Sequence, residues 1–227
     1  MGKKAVVLLS GGLDSATTLA LAHQDGFALH TLSFDYGQRH QREVEAATAL
    51  ARYYRVEKQQ RVTIDLRAFG ASALTSDIPV PHSRSVEEMS YDIPVTYVPA
   101  RNTVFLSFAL AYAEVNGADD IFLGINAIDY SGYPDCRPEY LAAYEKMANL
   151  ATKASTQDGR TFHFHAPLST MNKAQIIRTG IELRVPYELT WSCYEGGKLA
   201  CGTCDSCLLR LNGFAEVGRT DPIKYRS

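Results

Sequence analysis

Hydrophobic positions along the chain fall into short apolar runs separated by longer amphipathic stretches. Ala5–Leu9 is a continuous apolar run, which is typical of a strand buried on both faces of a parallel sheet. The same pattern predicts strands at Ala5–Leu9, Phe27–Phe34, Gln60–Asp65, Asp120–Leu123 and Thr161–His165. Helices are predicted between and after them, at Ser15–Gln24, Arg42–Tyr54, Thr103–Asn116, Glu139–Thr152, Lys173–Glu182 and Asp205–Val217. Strands that alternate with helices predict βαβ units, and hence an α/β fold with a parallel sheet and helices on both faces.

Two stretches interrupt this alternation. Ala68–Pro99 contains scattered serines and the prolines Pro79, Pro81, Pro94 and Pro99, and we expect it to be a long irregular excursion. Asn126–Pro138 is a second, turn-rich stretch. A loop as long as the first is usually functional or mobile when it belongs to a compact domain. The sequence leaves open whether this excursion forms a lid over a site.

The composition is that of an ordinary globular protein. Of the 227 residues, 46% are hydrophobic and 21% are charged, so a substantial core can form, and we expect residues 1–227 to make one α/β domain. The formal net charge of −2 gives no whole-protein electrostatic reason to bind nucleic acid or an anionic membrane, and we expect neither partner.

The beginning of the chain does not have the pattern of a secretion signal. The apolar run after Lys4 is short and lacks a cleavage site of small residues, and no apolar run in the chain is long enough to cross a membrane. We therefore expect the protein to be in the cytoplasm.

A glycine-containing loop, Ser10–Ser15, lies between the first predicted strand and the first helix. In parallel sheets ligands bind beyond the carboxyl ends of the strands. The glycines let backbone N–H groups approach an anion, and the helix N-terminus adds partial positive charge. The loop has neither the G-x-x-x-x-G-K-[ST] nor the G-x-G-x-x-G pattern. It is therefore a phosphate-binding loop of another kind, or a strand-to-helix turn with a capping serine.

Four of the five cysteines lie close together near the end of the sequence, as Cys193, Cys201, Cys204 and Cys207. Two residues between successive cysteines let their sulfurs turn onto one ion, and four thiolates are a typical structural zinc site. An odd number of cysteines without a secretion signal argues against disulfides. We expect one structural Zn²⁺ per chain in a subregion over residues 187–217, with an iron–sulfur cluster or a redox pair as alternatives.

The hexapeptide Ser10–Ser15 resembles the PP-loop of the ATP pyrophosphatases. The resemblance implies cleavage of ATP between its α- and β-phosphates, which gives an adenylated substrate and pyrophosphate. Asp14 would help to place the Mg²⁺ that accompanies ATP, and Lys173 would neutralise charge on the pyrophosphate. The implied ATP-binding residues are Leu8, Leu9, Ser10, Gly11, Gly12, Leu13, Asp14, Ser15, Ala16, Thr17 and Thr18.

Further motifs are similar to one family of PP-loop enzymes, the QueC family of 7-cyano-7-deazaguanine synthases. They occur in family order as Phe34–His40, Val98–Asn102, Gly124–Pro138, Thr190–Tyr194 and Cys201–Cys207. The third of them is the most diagnostic. The resemblance implies a Rossmann-like sheet of the adenine nucleotide alpha hydrolase type. It also implies an ATP-dependent conversion of 7-carboxy-7-deazaguanine and ammonia to the nitrile, through an adenylate and an amide, in queuosine and 7-deazaguanine biosynthesis.

Three of these motifs follow strand ends and could converge on the PP-loop. The resemblance implies a catalytic role for Arg101 beside Asp14 and Lys173. It also implies a set of substrate-binding residues, Tyr36, Gln38, Arg39, Asp129, Tyr133, Asp135 and Arg137. Within this set, aspartates could accept hydrogen bonds from N–H groups of the deazaguanine base. A tyrosine could stack on its ring, and an arginine could pair with the carboxylate of the substrate. His40 is either a general base for ammonia or a structural histidine.

Three other functions stay open from the sequence. A PP-loop tRNA-thiolating enzyme would need a persulfide cysteine, and Cys136 alone is free if the other four bind metal. An amidotransferase would stop at the amide. A zinc-ribbon nucleic-acid-binding module would carry a degenerate loop, which the intact Ser10–Ser15 disfavours. The sequence also leaves open the source of ammonia and the oligomeric state, with a homodimer as one option.

Overall fold

A parallel sheet forms the centre of the computed structural model, which describes residues 2–85, 88–89, 93–126 and 133–226. Its strands are β1 (Lys4–Leu8), β2 (Ala28–Asp35), β3 (Lys58–Thr63), β4 (Asp120–Leu123) and β5 (His163–His165). Their order across the sheet is β3-β2-β1-β4-β5, and every neighbouring pair is parallel. The predicted parallel sheet is therefore confirmed, with β1 at its centre.

The helices lie on both faces of this sheet. They are α1 (Leu13–Gln24), α2 (Arg42–Tyr53), α3 (Arg101–Asn116), α4 (Pro138–Ala151), α5 (Lys153–Thr156), α6 (Lys173–Glu182) and α7 (Asp205–Glu216). Val6 of β1 packs with α3 and α4, whereas its neighbours Ala5 and Val7 pack with α1, α2, α6 and α7. Because both faces of β1 are covered, its continuous apolar run is explained. None of the described helices is long and apolar enough to cross a membrane.

Two strands begin two residues away from their predicted start, whereas β1 and β2 differ by one residue. β3 covers Lys58–Thr63 instead of Gln60–Asp65 because it is an edge strand with mostly exposed side chains, so no apolar pattern marks its start. Asp65 instead caps a short 3-10 turn by accepting from the backbone N–H of Arg67. β5 begins only at His163, and the N–H of Phe162 donates to Asn149 Oδ1 at 2.8 Å instead of to a strand.

The predicted excursion packs against the four-cysteine segment. The N–H of Ser83 donates to the carbonyl of Thr203 at 2.8 Å, and Arg84 forms an ion pair with Asp205 through both carboxylate oxygens. An apolar cluster joins the two segments to α2, with the members Ala46, Ala73, Val80, Trp191, Cys193, Ala200, Cys204 and Cys207. The cysteine segment is thus tied to the α/β core both directly and through the excursion.

Candidate active site

A cavity opens at the carboxyl ends of β1, β2 and β4, the edge at which parallel sheets bind ligands. Most of the residues predicted for ATP line it, namely Leu8, Leu9, Ser10, Gly12, Leu13, Asp14 and Ser15. Gly11, Ala16, Thr17 and Thr18 are not part of its wall; the last two are fully buried within α1. Tyr36, Gln38, Arg39, Arg101, Tyr133 and Lys173 also line the cavity, from elements far apart in sequence.

The glycine loop is closed by its own serines. Ser10 Oγ accepts from the N–H of Gly12 at 3.2 Å, and Ser15 Oγ accepts from the N–H of Gly11 at 3.2 Å. Ser10 Oγ also donates to Ser15 Oγ at 3.1 Å. The helix α1 starts at Leu13, within the second half of the loop, so its N-terminal partial charge is directed at the cavity. Two hydroxyls, loop N–H groups and a helix N-terminus are together suited to hold an anion.

Other segments hold this loop on three sides. Gly11 has a φ of +95°, and a Cβ there would lie 2.2 Å from the carbonyl oxygen of Glu43 in α2. A Cβ at Gly124, just after β4, would lie 2.9 Å from the backbone nitrogen of Ser15. On the third side, the N–H of Trp191 donates to the carbonyl of Gly11 at 2.9 Å. Because no side chain fits at Gly11 or Gly124, the close approach depends on glycine at both positions.

Lys173 and Asp14, both predicted to be catalytic, form an ion pair beside the loop. Lys173 Nζ donates to the two carboxylate oxygens of Asp14 at 2.7 and 2.8 Å. Lys173 is the first residue of α6, which Asn172 and Gln175 begin with a reciprocal capping box. The lysine is buried, with 8% of its surface exposed. A fixed cation therefore lies beside the glycine loop.

Arg101 is a second cation in the cavity wall. Its Nη1 donates to Tyr36 OH at 3.4 Å, and its guanidinium carbon lies 5.8 Å from the centre of the Tyr36 ring. Burial alone would lower the pKa of Arg101, but Tyr36, Tyr133 and Asp135 raise it above its usual value. Arg101 therefore stays charged and can bind an anion in the cavity.

Two residues beside Arg101 are fixed by Asn102. The N–H of Asn102 donates to Asp135 Oδ2 at 3.0 Å, and its side-chain amide donates to Cys136 Sγ at 3.3 Å. Asp135 is buried behind the cavity wall, and Cys136 is part of that wall. Burial raises the pKa of Cys136 to about 12, so its thiol is neutral and a poor nucleophile at physiological pH.

The remaining predicted substrate residues differ in their surroundings. Arg39 lines the cavity, but its guanidinium donates to the carbonyls of Ala73, Ser76 and Ile78 at 2.7, 3.3 and 2.6 Å. It thereby fixes the start of the excursion. Arg137 is exposed and does not line the cavity, and Asp129 is outside the described residues.

The sequence patterns did not single out Glu43 as a site residue, although it lines the cavity three positions after His40. Burial raises the pKa of Glu43 to about 7; Arg101 opposes the shift and Cys193 adds to it. His40 lines the cavity as well, and its Nε2 lies 2.8 Å from the carbonyl oxygen of Cys193. Burial lowers the pKa of His40, so its ring is neutral.

Arg210 is another cavity residue that the sequence patterns did not reveal. It is 1% exposed and forms an ion pair with Asp221, with Nε–Oδ2 and Nη2–Oδ1 distances of 2.6 and 2.9 Å. It also donates to Thr190 Oγ1 at 2.6 Å and to the carbonyl of Tyr187 at 3.1 Å. Arg210 therefore fixes the segment before Cys193 against α7.

The four clustered cysteines form a group that could hold a metal ion. Their sulfurs all lie within 4.8 Å of one another, and the sulfurs of Cys201 and Cys207 are 3.9 Å apart. Tetrahedral zinc with its usual bond length would place sulfurs about 3.8 Å apart, so the geometry fits. Backbone N–H groups of Glu195 and Cys201 donate to Cys193 Sγ at 3.4 and 3.3 Å, which favours a thiolate.

This sheet and this loop define a class of protein, the PP-loop-type α/β fold. The structure of NMN synthetase from Francisella tularensis shares it with 17% sequence identity and a TM-score of 0.50, over 96% of this chain and 79% of that one. A 4-thiouridine synthetase in complex with RNA and ATP matches at 19% identity and a TM-score of 0.50, over 98% of this chain and 47% of that one. Structural similarity at such low sequence identity shows a shared fold and nothing more.

The particular family follows from the sequence. The model of the family described as "Queuosine biosynthesis protein QueC" matches residues 4–218, and this chain belongs to that family. The resemblance inferred from the motifs is thereby confirmed.

Curated relatives match over nearly the whole chain. A protein of Thermoplasma acidophilum is 60% identical, over 98% of this chain and 92% of that protein. Relatives from Kineococcus radiotolerans and Hydrogenovibrio crunogenus are 58% and 60% identical, and cover 100% and 99% of this chain and 99% and 97% of their own lengths. Each of these proteins is named 7-cyano-7-deazaguanine synthase.

Proposed function

We propose that this chain catalyses the reaction after which these relatives are named. It would convert 7-carboxy-7-deazaguanine and ammonia to 7-cyano-7-deazaguanine at the expense of ATP. The observation that carries the proposal is the pairing of Lys173 with Asp14 beside the glycine loop, within a cavity that also contains Arg101. This arrangement would provide an anion site for phosphates and a separate cation for a carboxylate.

ATP would place its β- and γ-phosphates on the glycine loop and the N-terminus of α1. The hydroxyls of Ser10 and Ser15 would then turn from each other to the phosphates. Lys173 would neutralise the charge that grows on the departing pyrophosphate. Each Asp14 oxygen retains a lone pair beside its bond to Lys173, so Asp14 can also help to hold the Mg²⁺ that arrives with ATP.

The carboxylated base would bind on the opposite side of the cavity. Arg101 would pair with its carboxylate, which brings that group close to the α-phosphate. Tyr36 and Tyr133, both buried in the cavity wall, would pack against the ring. Gln38, Asp129, Asp135 and Arg137 stay proposals for recognition of the base.

The chemistry needs two activations. A carboxylate resists attack because it is anionic, whereas its adenylate has a good leaving group that ammonia can displace to form an amide. A second adenylation on the amide oxygen would allow loss of AMP to give the nitrile. The residues described above orient the reactants and stabilise phosphate charge, and no nucleophilic side chain is required.

We further propose that Cys193, Cys201, Cys204 and Cys207 hold one Zn²⁺. A closed four-thiolate site leaves no open position for substrate, so the ion would have a structural role. The segment it fixes includes Trp191, which donates to Gly11 of the loop. The cysteine segment would thereby keep the loop in place.

The test is a product assay with protein, 7-carboxy-7-deazaguanine, ammonium and Mg-ATP. We expect the nitrile together with AMP and pyrophosphate. ADP as the only nucleotide product would contradict the adenylation scheme. Absence of any nitrile would contradict the assignment, and an amide as the final product would identify an amidotransferase.

Cys136 is the residue that tests the alternative of a tRNA-thiolating enzyme. Its raised pKa and its hydrogen bond from Asn102 make it a poor persulfide carrier. Cys136→Ser should leave nitrile formation largely intact, whereas a thiolating enzyme that depends on this residue would lose its activity.

A further inference from the structure

Within the described part of the chain, Glu43 presents to the cavity a carboxylate that forms no hydrogen bond or ion pair. As far as the described residues show, the cavity wall contains two carboxylates, Asp14 and Glu43. Both oxygens of Asp14 are paired with Lys173. Among the described residues, no hydrogen bond or ion pair reaches the carboxylate of half-buried Glu43. A carboxylate withdrawn from water without a partner is unfavourable, so its charge is available to a ligand.

The nearby cations form no ion pair with this carboxylate. Arg42, the preceding residue, directs its guanidinium to the carbonyls of Gly197 and Lys198 at 2.9 and 3.2 Å and to Glu45. Arg101 lines the same cavity and favours the charged form of Glu43, but its hydrogen bond is to Tyr36. The two opposite charges therefore line one cavity.

The position of Glu43 indicates the charge of that ligand. Its backbone packs directly on Gly11, so it lies beside the loop that would hold the phosphates of ATP. A further anion would be repelled here, whereas a cation would be attracted by both the carboxylate and the phosphates. Of the reactants in the proposed function, ammonium is the free cation that must reach the acyl carbon.

On the basis of that function, we propose that Glu43 binds ammonium and takes its proton as the amide forms. The carboxylate on Arg101 and the ammonium on Glu43 would meet between the two side chains. The inference deepens the proposed function, because it assigns the nitrogen site that the motifs leave open.

The step balances with the reactants already named. One N–H proton of ammonium passes to a carboxylate oxygen of Glu43, which frees the lone pair on nitrogen. That pair forms the C–N bond to the acyl carbon of the adenylate. The bond from this carbon to the phosphate oxygen breaks, and AMP leaves with its electrons. Water takes the surplus proton of the new amide nitrogen, and Glu43 later releases its own proton to water.

The experiment compares Glu43→Gln with Glu45→Gln. Glu45 lies on the same helix but its side chain is 65% exposed and does not line the cavity. Carboxylate-dependent exchange of labelled pyrophosphate into ATP reports adenylation, which needs no ammonium. We expect E43Q to retain this exchange while nitrile formation falls by about 100-fold, as for loss of a general base. The KM for ammonium should rise in E43Q, and E45Q should match the unchanged protein in every assay.

Hydroxylamine gives an independent readout. It is uncharged at neutral pH, so it needs neither a carboxylate to attract it nor loss of a proton before attack. We expect E43Q to form the hydroxamate from hydroxylamine at nearly the rate of the unchanged protein, although it fails with ammonium. Equal losses with both nucleophiles would overturn the inference.

Other outcomes identify other roles. Loss of pyrophosphate exchange in E43Q would mean that Glu43 serves adenylation or Mg²⁺. A raised KM for the carboxylated base, with that for ammonium unchanged, would mean that Glu43 recognises the base. Either result overturns the ammonium site.

If E43Q does not fold, Glu43→Asp is measured in its place. E43D should show the raised KM for ammonium with pyrophosphate exchange retained, and an unchanged KM for ammonium would overturn the inference. If the unchanged protein itself shows no exchange, the proposed function fails instead.

Discussion

Gly213 of α7 lies against the stem of Lys173 so closely that a Cβ at position 213 would be 2.7 Å from Lys173 Cγ. The glycine thus determines where the lysine runs on its way to Asp14. Lys173 Cγ is close to the backbone of α6, so it cannot move aside without a shift of the helix or of its own side-chain rotamer.

Gly213→Ala should therefore impair the site more than the fold. We expect destabilisation of about 2 kcal/mol from overpacking. Misplacement of the ammonium group of Lys173 should lower the pyrophosphate-exchange rate by up to about 100-fold. The control is Asn212→Ala, an exposed neighbour on the same helix. Equal exchange rates in the two variants would show that Lys173 tolerates the displacement.

The Lys173–Asp14 pair should show strong coupling in a double-mutant cycle. Lys173→Met leaves the Asp14 carboxylate without its partner, and we expect a loss of about 3 kcal/mol in the free energy of unfolding. Adding Asp14→Asn should recover much of that stability but none of the activity, which we expect to fall by about 1000-fold. Chemical denaturation and the product assay measure the two quantities. Additive stability losses would mean that the pair is not coupled.

Removal of the metal that we propose for the four-cysteine site should weaken ATP binding at the glycine loop. We expect Cys204→Ser to lose bound metal, as measured by elemental analysis, and to have a lower Tm. Its KM for ATP should rise because Trp191 no longer holds Gly11 firmly. Cys136→Ser is the matched control and should retain one metal ion per chain. An unchanged KM for ATP in metal-free protein would mean that the four-cysteine site does not support the glycine loop.

Glu43 should make the ligand-free protein less stable as the pH rises. Burial raises its pKa from the usual 4.5 to about 7, so the folded state binds this proton more tightly than the unfolded state. The stability from this group is therefore present below pH 4.5 and lost as the pH rises to about 7. Relative to E43Q, the unchanged protein should lose on the order of 2 kcal/mol between pH 4 and 8. Urea denaturation at both values measures this difference, and parallel curves would contradict the raised pKa.

Elements that a local pattern of apolar and polar residues marks could be predicted from the sequence. β4 and α6 have the predicted bounds because an apolar run and a capped amphipathic turn mark them locally. Lys173 and Asp14 were predicted for the same site because both lie in motifs at helix starts, but their ion pair was not predicted. The spacing of the four cysteines likewise indicates that their sulfurs can turn onto one ion.

Residues defined by contacts between distant segments could not be predicted. Glu43 has the pattern of a solvated helix residue, like Glu45 two residues along, and only the packing of α2 on Gly11 brings it to the cavity. Arg39, which the resemblance predicts to bind substrate, does line the cavity. That its guanidinium also donates to carbonyls of the excursion could not be predicted, because the irregular backbone of the excursion leaves no periodic signal.

The hydrogen bond from Trp191 to Gly11 also has a consequence for biosynthesis. The ribosome makes the glycine loop well before Trp191 and the Arg210–Asp221 pair that supports its segment. During translation the loop therefore lacks one of its three supports until Trp191 has left the exit tunnel. A nascent chain stalled before residue 190 should bind nucleotide more weakly than the full chain, and the site should mature only after these later residues have emerged.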